Sequence, residues 1–399
     1  MESFKDVNED RFPRELLQKS PEERLAYFET HTAIHPRLEE AFKKTIRFIG
    51  RQRAKASCIS LYGPTGVGKT TLLLKVERTL IEQALPTLEI NRGRIPVVRV
   101  EAIAPESGNF NWKDYFTRSL IAMEEPLIDY KIDYGERGVH RNNQGEIVIE
   151  PKVSAPNLRR ALENALKHRC PDAFLIDEAQ HLQKMNSGRR LQDNMDCIKS
   201  IANLTCVPHV LIGTYELLTF RNLSGQLSRR TQDIHFPRYK ADNLEDLTAF
   251  WNTLHTFQCQ LPIEEEPDLL AHVEYCYERS LGCVGILKEW LTRAFSDVLE
   301  ENSATLTLKH LKQRALSVAQ CKKMLTEIEE GENQLKENPE DSNTLRTSLG
   351  LGAEPSHLGK STVKTSTNAG KKKSDSRRKT DVGKPNPTRR KVGVEEDVG

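Results

Sequence analysis

The 399-residue chain has eight cysteines, but no two of them form a C-x-x-C pair. Cys58, Cys170, Cys197, Cys206, Cys259, Cys276, Cys283 and Cys321 stand apart. A zinc site therefore has no spacing to rest on, and all eight read as reduced, mostly core thiols. No apolar run approaches the roughly 18 residues that a membrane span requires. The opening Met1 to Asp10 is polar and acidic, unlike a secretory signal, so a cytoplasmic chain with no membrane partner is expected. Aromatic residues make up only 6% of the chain and stop at Phe295. From about Gly331 onward Pro, Gly, Ser, Thr and Lys dominate. Such a segment buries too little apolar surface to offset its ordering entropy, which predicts a disordered tail over 331–399. Single-signed charge is also lacking: the net charge is only +2. That balance hides an asymmetry, because Lys360 to Lys391 holds 12 Lys or Arg against Asp375 and Asp381. A basic tail of about +10 follows an acidic body of about −8.

What is present is organised around Cys58 to Thr71. The β-prone run Cys58-Ile59-Ser60-Leu61-Tyr62 feeds Gly63-Pro64-Thr65-Gly66-Val67-Gly68-Lys69-Thr70-Thr71, which opens into a helical pattern. Gly63 to Thr70 fits G-x-x-x-x-G-K-[ST] at every position. Glycines let successive backbone N–H groups converge on phosphate oxygens, and the helix N-terminus adds partial positive charge. Lys69 is placed to reach β- and γ-phosphates, and Thr70 to offer a hydroxyl to Mg²⁺. The pattern implies a nucleoside triphosphate.

The surrounding chain predicts an α/β domain. Ser20-Pro21-Glu22-Glu23 reads as a capping box, and Leu38, Ala41, Phe42, Thr45, Ile46 and Ile49 keep helical spacing, so one or two helices precede the loop. The loop helix is expected to end at Pro86, with a strand at Ile95 to Val100. Glu101 to Val153 is an excursion with a helix around Trp112 to Ile121 and a hairpin over Gly138 to Ile149. Strands ending at Asp177, Thr214 and Phe236 alternate with helices, which argues for a mostly parallel sheet covered on both faces. From Asn243 the pattern is all-helical through a last helix from Thr307 to about Ile328. The expected divisions are an N-terminal helical segment (1–53), a nucleotide-binding domain (54–240), a helical lid (241–330) and the tail (331–399).

Phe174-Leu175-Ile176-Asp177-Glu178 brings two carboxylates to a strand end, where the nucleotide crevice of a parallel sheet lies. Asp177 suits Mg²⁺ and Glu178 suits polarising the attacking water. Thr214 ends the following strand, in position to sense the γ-phosphate. Glu178 is expected on the strand neighbouring the loop strand and Thr214 on the next. Arg229 or Arg230 could neutralise transition-state charge on a neighbouring subunit's nucleotide. Lys288, at the start of a lid helix, could reach phosphate when the domains close. For duplex DNA the candidates are Lys113, Arg118, Lys131, Arg137, Arg141 and Lys152 in the excursion.

This order of loop, Asp-Glu strand, polar strand end, paired arginines and helical lid resembles an AAA+ ATPase. Further phrases resemble the TniB/TnsC family of transposition regulators, including those of CRISPR-associated transposons. They are Ser20-Pro21-Glu22-Glu23-Arg24-Leu25, His35-Pro36-Arg37-Leu38, Leu175 to Leu182, Ile212-Gly213-Thr214 and Gln226-Leu227-Ser228-Arg229-Arg230. The resemblance covers roughly Ser20 to Glu300. It implies a P-loop AAA+ sheet with a helical lid, and ATP and Mg²⁺ bound by Lys69, Thr70 and Asp177. It further implies hydrolysis by Glu178, a sensor at Thr214 and a finger at Arg229 or Arg230. The partners it implies are double-stranded DNA, a homo-oligomeric ring or helical filament, a TniQ/TnsD-like target-selection protein and a DDE-type transposase. At the sensor-two position, where many AAA+ proteins carry arginine, this chain has Lys288. Two other readings of the residues stand beside it: a signalling NTPase of NACHT-like (STAND) type that binds no DNA, and an origin-binding initiator or helicase loader.

Overall fold

The structure, a computed structural model, describes residues 11–52, 58–105, 110–123, 139–141, 144, 147–149, 154–183, 188–221, 231–336 and 339–351. Two compact units divide it, Met1–Glu337 and Asn338–Gly399. The described part of the second is a helix, Pro339–Ser348, and its turn.

The first unit is built on a five-stranded sheet of β1 (Cys58–Tyr62), β2 (Val97–Glu101), β5 (Ala173–Asp177), β6 (His209–Gly213) and β7 (Thr231–His235), in the order β2-β5-β6-β1-β7. Every pairing in it is parallel. Parallel strands need crossover helices, which here cover both faces. On one face α2 (Pro36–Gln52) and α3 (Lys69–Ile90) bury Leu38, Ile49, Leu72 and Val76 against Ile59, Leu61 and Leu175. On the other, α4 (Trp112–Ala122), α5 (Ala155–Arg169) and α6 (Gly188–Thr205) bury Phe116, Leu162 and Ile198 against Val98, Phe174 and Ile176. The expected hairpin forms as β3 (Val139–Arg141) against β4 (Ile147–Ile149), antiparallel. A short helix, α7 (Leu218–Arg221), follows β6.

The strand order corrects one expectation. The strand that neighbours the loop strand β1 is β6, which leads to Thr214; β5, which carries Asp177, pairs with β6 on its far side. The sensor strand therefore lies between the loop and the carboxylates. Chain order places β5 before β6, but a parallel sheet is not wound in chain order.

The lid packs α8 (Leu244–Cys259), α9 (Val273–Ser280), α10 (Val284–Glu300) and α11 (Leu308–Arg314) around Phe250, Phe257, Trp290 and Phe295. Helix α1 (Pro21–Thr30) starts at the expected capping box, with Ser20 and Glu23 bonded reciprocally. It adds Phe28 to the lid core, whereas α2 belongs to the sheet. Two helix ends differ from the sequence reading. Pro86 lies inside α3 rather than ending it. Pro86 and Glu82 are both exposed, so the Glu82 carbonyl that a proline cannot bond faces water. The expected last helix is two, α11 and α12 (Val318–Gln334), because Ser317 makes its own capping box with Gln320. Helix α12 and the helix Pro339–Ser348 (α13) extend past Gly331, where the tail was expected to begin; residues 352–399 lie outside the described residues.

Candidate nucleotide site

Gly63 to Thr70 connects β1 to α3 and folds tightly because its glycines permit what a side chain would block. Gly66 and Gly68 hold φ of +73° and +110°, the left-handed region that costs other residues 1–2 kcal/mol or so. A Cβ at Gly63 would strike the Phe236 carbonyl. Lys69 begins α3 and is buried; its Nζ donates to the carbonyls of Gly63 (3.1 Å) and Pro64 (2.8 Å) across the loop. Burial pulls its ammonium below the ordinary lysine range, and the Glu178 and Asp177 carboxylates oppose that pull. Thr65 and Thr70 are exposed, and Thr71 is half-buried.

Asp177 closes β5 directly across from Glu101 of β2. Its Oδ1 accepts the Glu178 N–H at 2.9 Å. Burial raises its pKa, and the Glu178 and Glu101 charges add to the rise. Glu178 itself stands at φ +50°, so the chain turns sharply as it leaves the sheet. Gln180, on the following short turn, is buried and donates from Nε2 to Glu178 Oε2. Its Oε1 accepts the Thr214 N–H at 3.2 Å. The Thr214 hydroxyl oxygen is buried without a hydrogen-bond partner. Thr214 and Thr65 line one cavity of about 340 Å³ that α12 closes through Ile328 and Gly331. Gly331 is required there, since a Cβ would enter the Tyr215 ring.

The lid meets the loop on its other side. Ile286 N–H donates to the Gly66 carbonyl at 3.0 Å, and Gly285 lies so close that a Cβ would sit 2.5 Å from that oxygen. A second cavity, of about 100 Å³, opens beside Gly68 and Thr71 and is lined by His31, Leu38, Phe257 and Lys288. Lys288 donates to the Phe28 carbonyl, with its Nζ 3.3 Å from the centroid of the Phe28 ring. Burial pulls its pKa down to about 7, partly countered by Glu29. The lysine expected at the phosphates is thus held on α1, toward the loop's Thr71 flank. His31 Nε2 is buried without a hydrogen-bond partner.

The loop donors fit a triphosphate, and the Thr70 hydroxyl with the Asp177 carboxylate are the hard oxygen donors that suit Mg²⁺. Asp177 meets a burial cost that a divalent cation beside it would offset. Among the described residues no group of three or more His, Cys, Asp or Glu could hold a metal by itself. A P-loop site needs none, because phosphates and water complete the shell.

The other sequence-derived candidates divide into residues outside the described part of the chain and residues on α4 and β3. Arg229, Arg230, Lys131, Arg137 and Lys152 lie outside the described residues. Lys113 and Arg118 sit on α4, where Arg118 pairs with Asp114 at 2.8 Å, and Arg141 is in β3. Sequence reasoning gave no role to Gln180, Gly285 or His31. The first was discoverable as a polar residue just past a carboxylate-tipped strand, whereas the other two meet the loop only through tertiary packing. Among the described residues no helix is long and apolar enough to cross a membrane.

Comparison with curated proteins finds no match. Among solved structures, the Aeropyrum pernix ORC1 protein in complex with DNA is similar at 17% identity over 74% of this chain and 68% of that one, with a TM-score of 0.50. The Aeropyrum pernix ORC2 protein in its ADPNP–ADP complexes is 12% identical over 73% of this chain and 72% of that one, at 0.49. The Walker-type ATPase PABY2304 of Pyrococcus abyssi is 18% identical over 79% and 80%, at 0.42. Residues 52–220 match the family model described as the AAA domain, and the parallel sheet with its helical lid is the P-loop AAA+ fold.

Proposed function

We propose that this chain binds and hydrolyses ATP with Mg²⁺, and that the nucleotide controls its assembly on double-stranded DNA in the service of transposition. The observation that carries the reading is the convergence of Lys69, Asp177, Glu178 and the Gln180–Thr214 pair beyond the C-terminal ends of the central strands β1, β5 and β6, with the lid bonded to the same loop through Gly66. Lys69 and the loop N–H groups hold the β- and γ-phosphates, and Thr70 and Asp177 hold the metal. Mg²⁺ supplies charge neutralisation on the phosphates. Glu178 accepts a proton from the attacking water, and the Thr214 hydroxyl offers a donor to the γ-phosphate. Because the lid touches the loop through backbone atoms, nucleotide and lid position are mechanically linked. A homo-oligomer follows if Arg229 or Arg230 completes a neighbour's site.

The transposition role rests on the sequence phrases shared with TniB/TnsC proteins. In it, the assembly joins a TniQ/TnsD-like target-selection protein to a DDE-type transposase, and hydrolysis takes it apart. An initiator-like role is the second reading, favoured by the fold likeness to ORC1, a protein solved with DNA. Electron microscopy of the purified chain with duplex DNA, with and without ATP and Mg²⁺, tests the common core. Rings or filaments are expected only with nucleotide, and their DNA affinity should fall steeply with salt. Particles that stay monomeric under all conditions would refute DNA-dependent assembly. Capture of a DDE-type transposase by the assembled form, but not by the free chain, separates the transposition reading from the initiator one.

A further inference from the structure

We propose that Gln180 is a positioning residue for hydrolysis: its side-chain amide ties the Glu178 carboxylate to the end of the sensor strand, so that the base is oriented by the backbone that carries Thr214. The proposal deepens the ATPase reading above and rests on it.

Three observations meet at this side chain. Gln180 is only 6% exposed although its amide is fully polar. Both ends of that amide are used, Nε2 toward Glu178 Oε2 and Oε1 toward the Thr214 N–H. Gly213, the last residue of β6, is packed so closely that a Cβ there would run into Gln180 Oε1. The chemistry selects the residue type. A backbone N–H can only donate and an ionised carboxylate can only accept, so the bridge needs one acceptor and one donor on a single rigid plane. Glutamine supplies both, whereas leucine supplies neither and the shorter asparagine reaches less far.

The consequence concerns Glu178. Its backbone is in the left-handed region at φ +50°, past the end of β5, so the strand ladder does not orient it. One carboxylate oxygen is held by Gln180, which leaves the other to act on water. Because the other end of the amide is bonded at Thr214, a shift of that strand end on contact with the γ-phosphate is passed to the base through one side chain. Both bonds run to a buried amide, so neither end moves freely without the other.

The test compares Gln180→Leu and Gln180→Met with the unaltered chain in steady-state ATPase assays and fluorescent-nucleotide titrations. Gln180→Leu is expected to lower kcat about tenfold or more while nucleotide affinity changes less than about twofold, since a general base contributes about 10²–10⁴ only when aligned. Gln180→Met keeps the length and nearly the volume of the side chain but neither the donor toward Glu178 nor the acceptor toward Thr214, so its kcat should fall as far with affinity again retained. A residue that only filled space would be rescued by methionine. An unchanged kcat in Gln180→Leu overturns the proposal, as does parent-like turnover in Gln180→Met. The second outcome still decides if the leucine variant fails to fold. An unaltered chain that binds ATP but never turns it over overturns the hydrolysis reading and this proposal together, whereas a working parent beside an unaffected leucine variant overturns this proposal alone.

Discussion

The two flanks of the phosphate loop are built by opposite means. On the sheet flank, Asp177, Glu178 and Thr214 are delivered by strand ends, and hydrogen bonds within a few residues of those ends hold them. On the lid flank, Gly285, Ile286, Lys288 and His31 come from segments about 220 or 35 residues from the loop and reach it by helix packing. Sheet geometry fixes the first set whenever the strands pair. The second set holds only while the lid core around Phe28, Phe257 and Phe295 stays packed on α1. The sheet flank should therefore control chemistry, and the lid flank should control affinity and stability.

The largest expected effects fall on the sheet flank. Lys69→Ala removes the one buried cation that the loop carbonyls and both carboxylates surround. It should weaken ATP binding by at least about 100-fold, roughly 3 kcal/mol, in a fluorescent-nucleotide titration. Glu178→Gln should separate binding from chemistry. Turnover is expected to fall about 10²–10⁴-fold, the contribution of a general base, with ATP affinity and nucleotide-dependent assembly retained. If instead the glutamine variant lost binding as severely as Lys69→Ala, the division between the flanks would fail on its first side.

A smaller effect is expected at the lid contact. Gly285→Ala places a methyl group 2.5 Å from the Gly66 carbonyl oxygen and 3.3 Å from the Gly68 nitrogen. Both neighbours are backbone, so neither can rotate aside, and the lid must back away. A cost of about 1–3 kcal/mol is usual for such overpacking. It should appear as a lowered melting temperature and a weaker ATP-induced rise in that temperature, with kcat at saturating ATP changed less than by Glu178→Gln. A melting temperature equal to that of the parent would show that the lid does not bear on the loop.

The same contrast explains what the sequence could reveal. The placement of Gly63 to Thr70, Asp177-Glu178 and Thr214 at strand ends was legible because a P-loop sheet turns its strand C-termini toward one crevice whatever its helices do. The strand order was not, since a chain written β5 then β6 gives no sign that β6 inserts beside β1. Pro86 misled because its cost depends on whether the carbonyl it strands is exposed, and that is a property of the folded surface. The partners of Lys288 were not legible either. Its place at a helix start after Gly285 suggested a reach to phosphate on domain closure; in the structure it lines a cavity with Gly68 and Thr71 and bonds the Phe28 carbonyl of α1. Phe28 and Lys288 are 260 positions apart, and no local pattern links them.

Lys288 gives the effect most specific to the lid flank. Its pKa in the folded chain is about 7, below the ordinary lysine value of 10.5, chiefly because it is buried. The unfolded chain keeps this lysine charged until about pH 10.5, whereas the folded chain releases the proton near 7. Stability that is fully present above the unfolded pKa is therefore lost as pH falls toward 7, by at most about 1.4 kcal/mol per pH unit, and is constant below that. Lys288→Met keeps much of the side-chain volume and removes the titration. It also removes the bond to the Phe28 carbonyl, a loss that does not depend on pH while the lysine is charged in both states. The melting temperature of Lys288→Met minus that of the parent should thus be greatest at about pH 6–7 and shrink toward pH 10. His31, on the same cavity, has its pKa lowered by burial and by Lys288, which moves its own titration to the acid side of the ordinary histidine value. A difference that stays constant from pH 6 to pH 10 would mean that Lys288 is solvated and charged in the folded chain, and the lid flank would then be built by surface charge like any other exposed helix face.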